Sequence, residues 1–205
     1  MVNAVIFDAF GTLLKIPGDT HPFRRILKEG MRQGRRPQAS DTRLLMTNDL
    51  GLDQAADALG VEISAARMTE IRAALDADLI RAEAYQDGLD AVAKLQDAGI
   101  KVAVCSNLAA PYADAVRRLY PGLDAYVFSF EVGAIKPDPL IYMASLERLG
   151  CQAENVVMIG DSQRCDEAGP LTVGIKGHYL DRSGAKTDSH TDLLSFATLL
   201  LAGTA

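Results

Sequence analysis

Residues 2–14 read VNAVIFDAFGTLL, an apolar run from Val2 to Phe7 that stops at Asp8 and is followed closely by Gly11. A short, nearly continuous apolar run fits a strand buried on both faces, as in a parallel sheet. After a gap of about 80 residues, runs of the same kind recur at Ile100–Cys105, Ala125–Phe130, Val156–Ile159 and Thr172–Ile175, with helical patterns between them. Strands that alternate with helices predict an α/β fold, a Rossmann-like doubly wound parallel sheet.

The intervening helices carry their own punctuation. Asp87 is placed to cap a helix that buries Leu89, Val92 and Leu95 and stops at Gly99, and Pro111 and Pro139 sit at first helical positions. Asp138 precedes Pro139 as an N-cap, and Gly150 is the matching stop. From Lys15 to Tyr85 no strand-like run occurs, while Met68, Ile71, Leu75 and Leu79 repeat at helical spacing. The expected organisation is a core of residues 1–14 and 86–205 with a helical cap inserted at 15–85, over the carboxyl ends of the sheet. Leu193–Leu201 reads as a final packing helix.

Composition narrows the function classes. The 205 residues carry 21 Lys plus Arg against 27 Asp plus Glu, a formal charge of −6, which argues against nucleic-acid binding. With 48% hydrophobic and 23% charged residues the chain is an ordinary globular one, long enough for a large core. The longest apolar stretch, Leu193–Gly203, falls short of the roughly 18 residues of a membrane span. The N-terminus lacks the basic region and cleavage site of a signal peptide. Cys105, Cys151 and Cys165 form no CxxC pair, so they are expected to be reduced, structural thiols in a cytoplasmic protein.

In an open parallel sheet, ligands bind beyond the carboxyl ends of the strands. There the chain places Asp8, then Ser106 and Asn107, then Lys136, then Gly160, Asp161 and Ser162 with Asp166 close behind. Any one of these could be only a helix cap. Together they converge on one edge, where Asp8 and Asp161 would repel and raise one pKa unless a cation lay between them. A hard divalent ion with oxygen ligands, most simply Mg²⁺, answers that need.

The segments FDAFGTLL (residues 7–14), CSN (105–107), IKPDP (135–139) and IGDSQRCD (159–166) resemble the four ordered motifs of the haloacid dehalogenase superfamily, in its helical-cap subgroup with phosphoglycolate phosphatases and 2-haloacid dehalogenases. The resemblance implies that Asp8 is a nucleophile forming a covalent aspartyl intermediate. It implies that Ser106 binds an oxygen of the transferring group, that Lys136 orients the nucleophile, and that Thr12 supports the nucleophile loop. Mg²⁺ would be held by Asp8, the backbone carbonyl of Phe10, Asp161 and, through water, Asp166. Phe10, Gly11, Ser106 and Asn107 would border a small anionic substrate, with Gly11 allowing the tight turn.

One position departs from the pattern. Most phosphatases of the superfamily carry a second Asp two residues after the nucleophile, where this chain has Phe10. Positioned acid–base catalysis is worth about 10² to 10⁴ in rate, and a phenyl ring supplies none of it. The DAFGT pattern is also similar to the first motif of 2-haloacid dehalogenases, whose halide leaves without a proton. Those enzymes work without metal, whereas Asp161 and Asp166 keep the phosphatase-like pattern. Three readings stay open: a phosphatase with weakened acid catalysis, a haloacid dehalogenase, or a catalytically weak protein that binds a phosphorylated ligand. Phosphonatases use a cap lysine, for which Lys28 is the single candidate between Lys15 and Lys94.

From Arg24 to Arg43 the cap holds seven basic residues against Glu29 and Asp41. This is either a solvated face or an electropositive lid that attracts small anions, with Arg35 or Arg36 making the contact. His21, His178 and His190 are isolated in sequence and read as structural. Monomer and homodimer are both compatible with the sequence.

Overall fold

The structure, a computed structural model, describes residues 2–18 and 20–203. Met1 and residues 204–205 of the expected core, and Asp19 of the expected cap, lie outside them. Among the described residues the strands are β1 (Ala4–Phe7), β2 (Leu14–Lys15), β3 (Glu83–Ala84), β4 (Lys101–Ser106), β5 (Ala125–Phe128), β6 (Val156–Gly160) and β7 (Lys176–Tyr179). The helices are α1 (Pro22–Arg32), α2 (Ala39–Thr47), α3 (Leu52–Ala58), α4 (Ala65–Arg81), α5 (Gln86–Asp97), α6 (Ala113–Leu119), α7 (Ser129–Val132), α8 (Pro139–Leu149) and α9 (Leu193–Leu201).

Five strands form a parallel sheet in the order β5-β4-β1-β6-β7. All four residues of β1 are fully buried, because the strand is central and covered on both faces. Val5 and Phe7 face a core shared with Leu95 of α5 and Phe196 of α9, while Ala4 and Ile6 face one shared with Ile141 and Tyr142 of α8. From β1 the chain pairs first with β4 on one side and later with β6 on the other, so the crevice at their carboxyl ends lies at the switch in strand order.

Between β2 and β3, which pair antiparallel through Leu14 with Ala84 and Lys15 with Glu83, α1 to α4 build their own apolar cluster. Ile26, Leu52, Met68 and Ile71 are at its centre. Asp138 caps α8 by accepting from the Leu140 N–H, and Gly150 closes it in the left-handed region.

Several expectations are corrected. Thr172–Ile175 is not a strand: Pro170–Val173 is a 3-10 turn ended by Gly174, and the strand lies at Lys176–Tyr179. Only His178 of its four residues is buried, so its sequence KGHY shows no apolar run. Asp87 does not cap α5, whose N-cap position is Tyr85; its carboxylate instead takes Arg182 and the Leu193 N–H. Leu89 is 36% exposed, since the buried face of α5 runs through Gly88, Ala91, Val92 and Leu95. Pro111 sits in the first turn of a helical segment, as expected, but that turn is 3-10 (Ala110–Tyr112) and runs on into α6; β5 ends at Phe128. His178 and His190 are not isolated: Nδ1 of one lies 3.2 Å from Nε2 of the other, both against the Phe196 ring.

Candidate active site at the carboxyl edge of the sheet

Asp8 leaves the end of β1 with its N–H donating to the Ile159 carbonyl (3.0 Å), which locks the strand end to β6. The chain then turns sharply around the Ala9 carbonyl, which accepts from the N–H groups of Thr12, Leu13 and Leu14. Gly11 takes φ +84°, and a Cβ there would lie 2.0 Å from Asp161 Oδ2. Glycine therefore does two things: it permits the left-handed turn and lets the Asp161 carboxylate close onto the loop. Gly160 plays a similar part for Asp166, whose carboxyl carbon lies 2.4 Å from the place a Cβ would occupy.

Carboxylate oxygens of Asp8, Asp161 and Asp166 all lie within 4.8 Å of one another. Lys136, 4% exposed, places Nζ 2.7 Å from Asp8 Oδ1 and 2.7 Å from Asp166 Oδ1. Asp166 Oδ2 accepts from the Ser162 N–H (3.0 Å), so both of its oxygens are engaged. One ammonium faces three carboxylates, which leaves the cluster negative. Asp161 is solvent-accessible, yet the surrounding protein, with Asp8 and Asp166 adding, pushes its carboxyl up to about 6. Burial and Asp8 hold Asp166 above the ordinary carboxylate range, against the pull of Lys136. Burial alone would lower the Lys136 ammonium, but Asp8 and Asp166 hold it well above the ordinary lysine value. Crowded hard-oxygen ligands with unneutralised charge fit a divalent ion such as Mg²⁺.

Ser106 ends β4 and is buried beside this cluster's strand. Asn107 is placed differently from expectation. Its amide closes a two-way clamp on the Lys136 backbone, Oδ1 accepting from the N–H (2.7 Å) and Nδ2 donating to the carbonyl (3.0 Å). Both amide atoms are thereby used to seat Lys136, although the residue also borders the cavity described below. Thr12 is fully buried, and its Oγ1 has no hydrogen-bond partner among the described residues; it holds the loop through its backbone.

A cavity of about 350 Å³ opens between Phe10 and helices α1 and α2. From the core it is bordered by Phe10, Leu108 and Tyr112, and from the cap by Phe23, Leu27, Leu45 and Met46. Phe10 meets Tyr112 edge to face with ring centroids 5.6 Å apart. His21, Arg24 and Thr42 supply polar groups.

The expectation for Arg35 and Arg36 is corrected. Arg35 makes a bidentate pair with Asp41 (2.7 and 2.6 Å) and donates Nε to the Leu59 carbonyl, so it braces the cap. Arg36 is exposed and borders no part of the cavity; Arg24 does. Lys28 is also exposed and outside the cavity.

Three contributors lie outside what sequence reasoning singled out. Arg182 donates to the Gly11 carbonyl (3.2 Å) and the Thr12 carbonyl (2.6 Å), pairs with Asp87, and stacks 3.8 Å from the Tyr85 ring centroid. Ser129 Oγ accepts from the Leu108 N–H (3.1 Å), fixing the loop after Ser106. Asp78, fully buried on α4, accepts from the Thr20 N–H, Arg81 and the Tyr112 hydroxyl, and so ties α4 to the segment that follows β4. An Arg after the last strand and a mid-helix Asp carry no local signal, because their partners are distant in sequence.

Comparison with known proteins gives a consistent picture. A family model described as haloacid dehalogenase-like hydrolase matches residues 2–173. The chain is 32% identical over 117 residues to a glyceraldehyde 3-phosphate phosphatase of Methanopyrus kandleri, a match that takes in 53% of this chain and 50% of that protein. It thus spans about half the length of that relative. A phosphatase structure from Thermococcus onnurineus superposes with TM-score 0.66 at 20% identity, covering 97% of this chain and 98% of the other. An L-2-haloacid dehalogenase structure from Xanthobacter autotrophicus superposes with TM-score 0.66 at 20% identity, over 100% of both chains. At such identities the two structures speak for the fold alone.

Proposed function

The chain belongs to the haloacid dehalogenase-like hydrolases, and from that premise we propose that it is an Mg²⁺-dependent phosphatase of small anionic phosphate esters, with Asp8 as nucleophile. The observation that carries the reading is the convergence of Asp8, Asp161 and Asp166 around the Lys136 ammonium. A dehalogenase has no need of the two further carboxylates, whereas a phosphoryl group with its three negative oxygens needs a cation to meet it.

Asp8 attacks phosphorus, and the bond to the leaving oxygen breaks as an aspartyl phosphate forms. Lys136 holds Asp8 in its attacking orientation and offsets charge on the transferring group, itself fixed by Asn107. The Ser106 hydroxyl binds a phosphoryl oxygen. Asp8, the Phe10 carbonyl and Asp161 would hold Mg²⁺, with Asp166 acting through water because both of its oxygens are engaged. When bound, the ion neutralises phosphoryl oxygens and the repulsion among the carboxylates. The helical segment 15–85 serves as the cap that covers the site. No described helix is long and apolar enough to cross a membrane; a cytoplasmic setting, as monomer or homodimer, fits the acidic composition and the three free thiols.

Phe10 favours a second reading, a metal-independent 2-haloacid dehalogenase, because a halide leaves without a proton. Phosphate release from para-nitrophenyl phosphate, measured with Mg²⁺, with EDTA and in Asp8→Asn, separates the two. Mg²⁺-dependent turnover lost in the variant supports the phosphatase. Chloride release from 2-chloropropionate that survives EDTA replaces it with the dehalogenase, and ligand-dependent melting shifts without turnover replace it with a phospho-ligand binder.

A further inference from the structure

We propose that the leaving group for which this site is built is an aromatic, acidic alcohol, a phenol bearing an anionic substituent, so that the substrate is an anionic aryl phosphate. The inference rests on the phosphatase reading and names its substrate class.

Two independent features lead to it. The first is the missing proton. By the resemblance of the first motif, Phe10 stands where a carboxylic acid would protonate the departing oxygen, and the Tyr112 hydroxyl beside it donates to Asp78 at 3.3 Å. An alkoxide cannot leave well without a proton. A phenolate can, because the ring delocalises the electron pair that departs with the oxygen when the P–O bond breaks and the Asp8–P bond forms.

The second feature is the space beside Phe10. The cavity of about 350 Å³ has Phe10, Phe23 and Tyr112 as an aromatic wall and Leu27, Leu45 and Met46 opposite. The rings are already arranged edge to face or tilted, with centroids 5.6 Å and 6.5 Å apart, which suits a further ring among them. A cavity of about 150 Å³ holds a benzene ring, so a substituted ring fits here with room to spare. A polyol or sugar would leave its hydroxyls unpaired against this wall. Arg24 borders the same cavity and makes no ion pair among the described residues. Its guanidinium fork matches a carboxylate on the ring.

Phe10 also removes the base that would activate water in the second half-reaction. Hydrolysis of the aspartyl phosphate is then slow and common to every substrate. Good leaving groups should therefore share one kcat and show a burst of released phenol near one equivalent per enzyme, while kcat/KM still tracks the leaving group.

The test uses the full chain with Mg²⁺ and four phosphates: acetyl phosphate, 3-carboxyphenyl phosphate, cyclohexyl phosphate of similar bulk, and trifluoroethyl phosphate, which is activated but small. Acetyl phosphate needs neither acid nor cavity and so reports the phosphatase reading by itself. The proposal expects kcat/KM for the carboxyphenyl ester to exceed that for the cyclohexyl ester by at least about 10³-fold, the scale of a missing general acid. It expects the trifluoroethyl ester, whose alcohol is less acidic than a phenol and makes no ring contacts, to trail the aryl ester by at least about tenfold. In Arg24→Met, the preference for 3-carboxyphenyl over phenyl phosphate should collapse. Acetyl phosphate turned over together with equal aryl and cyclohexyl rates would overturn the substrate class while leaving the phosphatase. No turnover of acetyl phosphate would remove both. His21, an imidazole proton donor bordering the cavity, is tested by His21→Gln: equal slowing of aryl and cyclohexyl esters supports the proposal, and selective loss of the cyclohexyl ester overturns it.

Discussion

Replacing Gly11 by alanine is expected to disable the site through Asp161 rather than through the fold. Gly11 sits at φ +84°, where an L side chain costs about 1–2 kcal/mol. The added Cβ would also stand 2.0 Å from Asp161 Oδ2 and 2.8 Å from its Cγ, where ordinary contact begins near 3.4 Å, so the carboxylate must retreat by more than an ångström. Gly122 separates the two effects, because it has φ +80° and nothing within 4 Å of a built Cβ. Gly122→Ala should lose the backbone cost alone, a melting decrease of about 2–8 °C for a chain of this size, and keep its activity. Gly11→Ala should melt in the same range in EDTA, yet lose about 10²-fold in kcat/KM, the usual consequence of a 1 Å displacement of a catalytic group. It should also lose the stabilisation that Mg²⁺ is expected to give the parent protein. Calorimetry with and without Mg²⁺, paired with phosphate release, reads both quantities. If Gly11→Ala matched Gly122→Ala within twofold in kcat/KM and in its Mg²⁺ shift, Asp161 would have no part in holding the ion, and the argument from its approach to Gly11 would be wrong.

Removing the buried cation should be severe. Lys136→Met leaves Asp8 and Asp166 uncompensated at neutral pH, a loss of about 3–5 kcal/mol in urea unfolding that shrinks at pH 5, below the value of about 6 to which burial raises Asp166, as that carboxyl takes a proton. Arg182→Gln strips the donors from the Gly11 and Thr12 carbonyls without touching substrate. We expect kcat to fall about tenfold, equivalent to one charge-assisted hydrogen bond, with KM little changed; an unaltered kcat would show that the loop holds itself. His178 is pushed down to about 4, chiefly by burial, with Lys176 and His190 adding. A lowered histidine contributes stability that is complete above pH 6.5 and disappears as pH falls through about 4. His178→Leu should therefore flatten the decline of melting temperature between those values, and an unchanged slope would refute the assignment.

The fold and the convergence of the candidate site residues were legible for the same reason. Parallel strands buried on both faces must be apolar throughout, so β1, β4, β5 and β6 announce themselves, and their carboxyl ends deliver Asp8, Ser106, Lys136 and Asp161 by position alone. Where burial is one-sided the signal fades. That is why β7 was displaced by a few residues and why the buried face of α5 ran one position off at Leu89.

Side-chain choices among equals were decided only in three dimensions. Seven basic residues in one stretch of the cap look alike along the chain, and which of them meets Asp41 and which meets the cavity depends on the packing of α1 against α2 to α4. Asn107 reads as a substrate contact until its amide is found closed on Lys136, and Arg182 reads as nothing until it is found beneath the loop formed some 170 residues earlier. The sequence by itself determined the α/β architecture and the set of charged groups that follow its strands, because burial on both faces is written in local hydrophobic pattern. Only the tertiary structure decided which partners those groups keep, because hydrogen bonds and ion pairs act over a few ångströms between residues that local pattern does not relate.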